Sequence, residues 1–271
     1  MILLNGCSFT YGDELENPDK ERWGTHLGEL LGKTILNKSA PGASNSRIFR
    51  TTMGMLSGME DLSQLEGVII MWSAFERVEM ISLHAEHNYD RDSNLINSQF
   101  LQMSPSRISK NNRSITRNWQ AWETFYGEIY TRETGIVNTI NYMSWVKWIC
   151  DQLKVTCIQG WFHEGNRVTF AKTFSPARIE QLGPRLTRIY EPVIKKFNAL
   201  PPQCKLGATE NDGPTFHEFT MKNNFKLMPR EHPGPEAHKA YGEQLFNYIK
   251  NKNIVFEQDM YTPVIGTNLP R

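Results

Sequence analysis

The sequence lacks a charge imbalance and a long hydrophobic run. Its formal net charge is only +1 over 271 residues, which excludes the strongly basic composition of a nucleic-acid-binding protein. No stretch approaches the roughly 20 apolar residues that a transmembrane helix needs, so we predict no membrane span. The amino terminus has neither a charged leading segment nor an apolar run of signal-peptide length. We therefore expect synthesis in a cytoplasm without a signal peptide.

Cysteine is scarce, with four residues and no C-x-x-C pair. This absence argues against a zinc site, and cytoplasmic synthesis favours reduced thiols over disulfides. His232 and His238 could suggest a metal site, but a spacing of six places them on different sides of a regular helix. No carboxylate cluster accompanies them. We predict no metal and no organic cofactor.

Strand and helix signals alternate along the chain. Helical patterns separate short apolar runs, and this β-α-β-α-β order favours a parallel sheet with helices on both faces. We predict a three-layer α/β/α fold with about five parallel strands and the first strand in the interior of the sheet. Four of the strands are predicted at Ile2 to Leu4, Thr34 to Leu36, Val68 to Met71 and Val155 to Gln159.

We predict one domain over residues 1–251. Within it, residues 87–118 are rich in Asn, Ser and Arg and show no sustained periodicity, so we interpret them as a polar insertion. Residues 252–271 carry no helical pattern and indicate an extended tail. We expect both segments to contact another copy of the chain, other proteins of an assembly, or a large polymeric substrate.

A serine follows the first predicted strand closely, in the stretch NGCSFTYGDE. Ligands of open parallel sheets bind at the carboxyl ends of the strands, so Ser8 lies where chemistry is expected. Gly6 and Gly12 permit a tight turn around it. A serine in an ordinary strand-to-helix turn is the alternative interpretation. The pattern is not the G-x-S-x-G elbow, because Thr10 occupies the place of the last glycine.

A histidine near the other end of the chain could activate this serine. A hydroxyl is a poor nucleophile until a base takes its proton, and imidazole has a suitable pKa. His232 precedes Pro233 and Gly234, which places it on a loop before the last predicted helix. From there its ring could reach the same crevice as Ser8. We interpret the other histidines as structural or exposed.

Four stretches together resemble the successive blocks of the SGNH, or GDSL-type, hydrolase superfamily. They are NGCSFTYGDE, NKSAPGASNSRI, IIMWSAFERVE and HPGPEAHKAYGEQL, and they cover roughly residues 1–84 and 225–250. Their wording is similar to bacteriophage-encoded members. The resemblance implies a flavodoxin-like strand order and hydrolysis of esters by a serine nucleophile.

The resemblance also implies roles for single residues. Ser8 matches the nucleophile and His232 matches the catalytic base. The backbone N–H groups of Ser8 and Gly42 match the donors to the oxyanion of a tetrahedral intermediate. The asparagine donor of the third block is absent. Ser73 and Asn45 are the alternatives for that role.

Two further positions depart from the family pattern. Cys7 stands where an aspartate often precedes the nucleophile, and Pro229 stands where the acid lies three residues before the histidine. An orienting group keeps imidazole in the correct tautomer. Glu231 and Asp212 are candidates, and a backbone carbonyl acceptor for His232 would leave a Ser-His dyad.

These residues predict a serine esterase with a Ser-His dyad or an incomplete triad. Its expected partner is an acylated small molecule or a glycan carrying O-acetyl groups, and not nucleic acid. The alternative is a catalytically weak or inactive SGNH-fold protein with a structural or binding role. A phage virion component that assembles through residues 87–118 and 252–271 would be an example, located in the host cytoplasm or the virion.

Overall fold

A computed structural model gives the structure of residues 1–59, 61–81, 100–103, 105, 119–208 and 213–256. Most of the predicted insertion 87–118 lies outside these described residues. Asp212 and residues 257–271 of the predicted tail lie outside them as well. The predicted domain bounds therefore stay a prediction.

Six strands are present among the described residues: β1 (Ile2–Asn5), β2 (Ile35–Asn37), β3 (Gly67–Trp72), β4 (Val78–Ile81), β5 (Phe100–Met103) and β6 (Thr156–Trp161). Four of them form a parallel sheet in the order β2-β1-β3-β6. This order confirms the predicted parallel neighbours and the interior position of β1. The antiparallel pair β4-β5 is separate from that sheet, and β5 falls within the predicted insertion.

Against the prediction of about five strands, the described part of the sheet has four strands and a single bridge. Leu206 pairs in parallel with Gly160 at the β6 edge. Its N–H donates to the Gln159 carbonyl at 3.0 Å, and its carbonyl accepts from Trp161 N–H at 2.9 Å. A 3₁₀ turn precedes Leu206, and Gly207 follows it with a φ of 70°. The chain is therefore extended for too short a distance to make a strand.

Ten α-helices surround the strands in the described part of the chain. They are α1 (Ser8–Tyr11), α2 (Pro18–Glu21), α3 (Trp23–Leu31), α4 (Asn45–Gly58), α5 (Trp119–Thr124), α6 (Arg132–Gln152), α7 (Glu164–Thr173), α8 (Pro176–Ala199), α9 (Phe216–Lys222) and α10 (Pro235–Asn251). A π-helical turn, Phe125–Ile129, follows α5.

Two neighbouring residues of β1 show that helices cover both faces of the sheet. A Cβ added to Gly24 of α3 would lie 2.3 Å from the Leu4 side chain. The side-chain amide of Asn5 donates to the Ile48 carbonyl of α4 at 3.1 Å. Because successive side chains of a strand point to opposite faces, α3 and α4 lie on opposite faces. Helix α10 packs on α3, and α6 packs on α4, which completes the three layers.

The start of the predicted tail packs at the amino-terminal edge of the sheet. Phe256 is 5% exposed, and its ring fills the space where a Cβ at Gly67 would lie, 2.4 Å away. The Thr156 hydroxyl donates to the Val255 carbonyl. The loops that carry Ser8 and His232 lie at the opposite, carboxyl edge of the sheet. None of the helices that the structure describes has the length and apolarity to cross a membrane.

Candidate active site

Ser8 is the first residue of α1, just beyond the turn that ends β1. The turn is tight because a Cβ at Gly6 would lie 2.3 Å from the Thr10 hydroxyl and 3.0 Å from the Met71 carbonyl oxygen. Helix α1 has four residues and ends at Gly12, which adopts a left-handed conformation with φ 84°. The chain thus reverses sharply around Ser8, and the two glycines permit this turn.

The Ser8 side chain is the free part of this turn. The backbone carbonyl of Ser8 accepts hydrogen bonds from the N–H groups of Gly12 and Asp13 at 2.9 and 3.0 Å. The hydroxyl of Ser8 makes no hydrogen bond with another described residue. The residue is 5% exposed, so the hydroxyl lies in a sheltered place at the carboxyl edge of the sheet. Its hydrogen-bonding capacity is available to a base or a substrate.

His232 lies on the loop between α9 and α10, and its ring contacts a carboxylate from the loop that carries Ser8. Nδ1 of His232 is 2.7 Å from Oε2 of Glu14. The two side chains are only 14% and 8% exposed. Glu14 follows Ser8 by six residues, so one loop carries both the serine and the partner of the histidine.

The Glu14 carboxylate is held in its ionised form. The Arg230 N–H donates to Oε1 and Oε2 of Glu14 at 2.9 and 3.0 Å. Burial raises the pKa of the Glu14 carboxyl, but the hydrogen bonds from His232 and Arg230 outweigh it, and the pKa is lowered from its ordinary value. An ionised carboxylate only accepts hydrogen bonds, so Nδ1 of His232 donates. In the neutral ring, Nε2 then has a free lone pair, which a general base requires.

A second carboxylate flanks the same ring at a longer distance. Asp13 Oδ2 is 3.9 Å from Nε2 of His232, which is too far for a hydrogen bond. Arg230 Nη2 donates to Asp13 Oδ1 at 3.3 Å. Both carboxylates stabilise the positive charge that the imidazole acquires when it takes a proton.

Phe9 connects the elements of the site. Its ring centroid is 5.4 Å from that of His232 and 4.9 Å from that of Phe162, the residue after β6. Phe9 is also the neighbour of Ser8 in α1. The turn at Ser8, the loop of His232 and the carboxyl end of β6 therefore meet at one place.

Gly42 lies in the loop after β2, next to the turn at Ser8. It is half-buried and has a left-handed backbone with φ 74°. The Ala40 N–H donates to the Gly6 carbonyl at 3.3 Å, which ties this loop to the turn before Ser8. The two predicted backbone donors, Ser8 and Gly42, thus belong to adjacent loops.

The side chain of Asn45 is occupied with other groups. Its amide nitrogen donates to the Ser73 carbonyl at 3.1 Å and to the Thr139 hydroxyl at 2.8 Å. Its oxygen accepts from the Ser73 N–H at 2.6 Å. Arg77 Nη1 donates to the Ser73 hydroxyl at 2.9 Å. Asn45 thus holds the backbone of Ser73 in place, and the hydroxyl of Ser73 is already a partner of Arg77.

The structure places Glu14, and not Glu231, against His232. Glu231 is exposed, and its N–H donates to the Met228 carbonyl in a turn with φ 66°. Sequence reasoning missed Glu14 although it lies within NGCSFTYGDE. The only available signal was a carboxylate pair near the predicted nucleophile, and nothing in the sequence distinguishes Glu14 from Asp13.

His238 lies in α10 and is fully buried. Its Nδ1 accepts a hydrogen bond from the Trp23 N–H at 3.1 Å, and its Nε2 has no partner in the described part of the chain. Burial lowers the pKa of His238 to about 3, so the ring is neutral at pH 7. The described residues contain no group of three or more His, Cys, Asp or Glu side chains that could hold a metal ion.

No protein-family model and no curated protein matches the sequence. Among solved structures, the chain is similar to a protein assigned to the lipolytic G-D-S-L family from Desulfitobacterium hafniense, with 13% identity, coverage of 91% of this chain and 97% of that one, and a TM-score of 0.46. It is also similar to TesA, with 11% identity, 92% and 98% coverage and a TM-score of 0.48.

A third similar structure is the acetyl xylan esterase Est2A from Butyrivibrio proteoclasticus, with 13% identity, coverage of 93% of this chain and 64% of that one, and a TM-score of 0.45. Because the TM-scores lie below 0.5, we draw no conclusion about activity from these likenesses. The predicted relation to bacteriophage proteins stays a prediction.

Proposed function

We propose that this chain is a serine hydrolase that cleaves small carboxylic esters, including acetyl esters on glycans. The observation that carries the proposal is the 2.7 Å hydrogen bond between His232 and Glu14, next to the turn that presents Ser8. A serine, an imidazole and a buried carboxylate are the three groups that acyl transfer needs. The SGNH resemblance of the sequence agrees with this assignment.

In the proposed reaction, Ser8 Oγ attacks the ester carbonyl carbon while Nε2 of His232 takes the hydroxyl proton. The carbonyl oxygen becomes an oxyanion, which accepts hydrogen bonds from the N–H groups of Ser8 and Gly42. His232 then gives the proton to the departing alcohol oxygen, and an acyl-serine remains. Water then attacks the acyl carbon while Nε2 of His232 takes its proton. His232 passes this proton to Ser8 Oγ, which releases the acid and restores Ser8.

Glu14 has the role of the orienting acid in this scheme. It keeps the hydrogen of neutral His232 on Nδ1, and it stabilises the imidazolium that forms during each proton transfer. The acid therefore comes from the nucleophile loop, and the missing carboxylate three residues before the histidine has a replacement.

The hydroxyl of Ser8 makes no hydrogen bond to His232 among the contacts of the described residues. Catalytic hydrogen bonds are often long in unliganded enzymes and shorten in the substrate complex. We expect substrate to bring the hydroxyl and Nε2 together, because the Phe9 ring already lies against His232.

The test is hydrolysis of p-nitrophenyl acetate by the wild type and by Ser8→Ala. We expect Ser8→Ala to lower kcat/KM by at least about 10³-fold and to leave the melting temperature nearly unchanged. Ser57→Ala is the matched control, because Ser57 is an exposed serine of α4. Equal rates for the wild type and Ser8→Ala would show that Ser8 is not the nucleophile. A folded but inactive wild type would favour the non-catalytic alternative.

A further inference from the structure

A cleft of about 180 Å³ opens beside the candidate site, between the amino end of α4, the loop that joins β3 to β4, and α6. Aromatic side chains form much of its wall, and Arg77 and Glu79 are its charged lining residues. The aromatic lining residues are Phe75, Phe125, Tyr130 and Tyr142. The cleft therefore combines flat apolar walls with a cation.

The loop that forms one wall is held firmly. The Tyr130 hydroxyl donates to the Phe75 carbonyl at 3.2 Å. A Cβ at Gly135 of α6 would lie 2.1 Å from the same carbonyl oxygen, so the helix and the loop are in close contact. Asn45 binds the backbone of Ser73 from the other side. These contacts fix this wall of the cleft within the protein itself.

The cleft lies at the same edge of the sheet as the nucleophile. Asn5 of β1 pairs with Ile70 of β3. Since the strands are parallel, Ser8 and Ser73 both leave the sheet three residues beyond that pair. The Arg77 guanidinium donates to the Ser73 hydroxyl at 2.9 Å and thus lies between this edge and the cleft.

A second contact links Arg77 to the catalytic elements. Its guanidinium carbon is 5.9 Å from the centre of the Phe162 ring. Phe162 packs against Phe9, the residue next to Ser8. Arg77, Phe162 and Phe9 therefore form a continuous set of contacts from the cleft to the residue beside Ser8.

Arg77 carries the uncompensated charge of the cleft. Arg50 binds Glu79 through two hydrogen bonds of 2.8 Å each, and the Glu79 side chain is only 4% exposed. Glu76, on the adjoining loop, pairs with Arg132 at 2.6 Å. Within the described residues, no carboxylate pairs with Arg77. Among the same residues, the guanidinium donates only to the Ser73 hydroxyl, so its other N–H donors have no partner there and suit an anion.

The other polar groups of the cleft do not oppose an anion. Asn45 and Ser46 are the first two residues of the 14-residue helix α4, and the amino end of a helix favours negative charge. Burial raises the pKa of Tyr130 to about 12 and also raises that of Tyr142, so both phenols are neutral at pH 7.

We infer that the cleft binds the non-reacting part of the substrate, and that this part is a ring bearing a carboxylate. The carboxylate pairs with Arg77, as guanidinium groups favour, and the ring packs on the aromatic walls. An acetylated sugar acid has this chemistry. The inference rests on the proposed function, because only then is the bound molecule a substrate.

The kinetic test compares two acetate esters of matched shape, 4-acetoxybenzoate, which is anionic, and its neutral methyl ester. The variants are Arg77→Gln, which keeps an N–H donor, Arg77→Lys, which keeps the charge, and Arg188→Gln, an exposed control on α8. We expect Arg77→Gln to lower the ratio of kcat/KM for the anionic over the neutral ester by about 10- to 100-fold. Arg77→Lys should lower it less, and Arg188→Gln should not change it.

Equal losses on both esters in Arg77→Gln would overturn the inference, since Arg77 would then act on the oxyanion or on the fold. Calorimetric titration of Ser8→Ala with benzoate separates this inference from the proposed function. If benzoate binding requires Arg77 but the wild type hydrolyses no ester, only the proposed function is refuted. Ester hydrolysis with benzoate binding indifferent to Arg77→Gln would refute only the anion site.

Discussion

His232 and His238 lie six residues apart in one short stretch, yet their surroundings are opposite. His232 is on a loop, its Nδ1 faces the carboxylate of Glu14, and its ring is partly exposed. His238 is inside α10, and its Nδ1 accepts from the Trp23 N–H. One ring thus contacts an ionised carboxylate, and the other is kept neutral by burial.

The difference comes from the far end of the chain. Both partners, Glu14 and Trp23, belong to the amino-terminal segment that packs under α10 and its preceding loop. The spacing within the carboxyl-terminal stretch does not determine this difference between the two histidines. The group that each Nδ1 contacts determines it.

The largest expected difference between the two histidines is in activity. We expect His232→Asn to lower kcat/KM for p-nitrophenyl acetate by about 10³-fold or more, because no base remains for Ser8. His238→Asn keeps an acceptor for the Trp23 N–H, so its folded form should retain activity within a few-fold. Circular dichroism melting of both variants is the check on folding. Similar losses in the two folded variants would contradict the comparison.

A smaller loss is expected when the ring of His232 stays and its partner changes. Glu14→Gln removes the charge that fixes the tautomer, and we expect kcat to fall by about 10²-fold or more. Asp13→Asn should cost less than about tenfold, because Asp13 lies 3.9 Å from Nε2 and makes no hydrogen bond to it. Glu231→Gln should change kcat less than twofold. If Asp13→Asn or Glu231→Gln were the most harmful, Glu14 would not be the orienting acid.

A third difference concerns stability and pH at His238. Its pKa is about 3 in the folded protein against an ordinary value of 6.5, so between these values only the unfolded chain binds the proton. The free energy of unfolding should therefore fall as pH drops below 6.5, by up to about 1.4 kcal/mol per pH unit from this group. His238→Asn removes that contribution. Urea unfolding of the wild type and of His238→Asn between pH 7 and pH 4 measures this contribution as the difference in how their free energies of unfolding depend on pH. The same pH dependence in both proteins would contradict the assignment.

The fold could be predicted from the sequence where local patterns suffice. The buried strands β1, β3 and β6 are apolar runs with clear ends, so their parallel order followed from the alternation with helices. The sheet edge beyond β6 was not predictable, because the single bridge at Leu206 depends on the turns around it. Local sequence carries little information on such a short contact.

The candidate site was predictable only in part, for a related reason. Ser8 and His232 stand beside turn residues, which mark them in the sequence. The contact of Glu14 with His232 spans 218 positions, and Glu14 itself has an unusual backbone with φ 70°. A long-range contact made from a left-handed residue has no local pattern. The expectation of an acid near His232 in sequence therefore pointed to Glu231.

Labelling with a fluorophosphonate, followed by peptide mass spectrometry, tests the central claim most directly. This reagent modifies serines that an adjacent base has activated. We expect one equivalent on Ser8 in the wild type, no labelling of Ser8→Ala, and slower labelling of His232→Asn and Glu14→Gln than of His238→Asn. A folded wild type that stays unlabelled at Ser8, or that labels equally fast in His232→Asn, would contradict the claim that His232 and Glu14 activate Ser8.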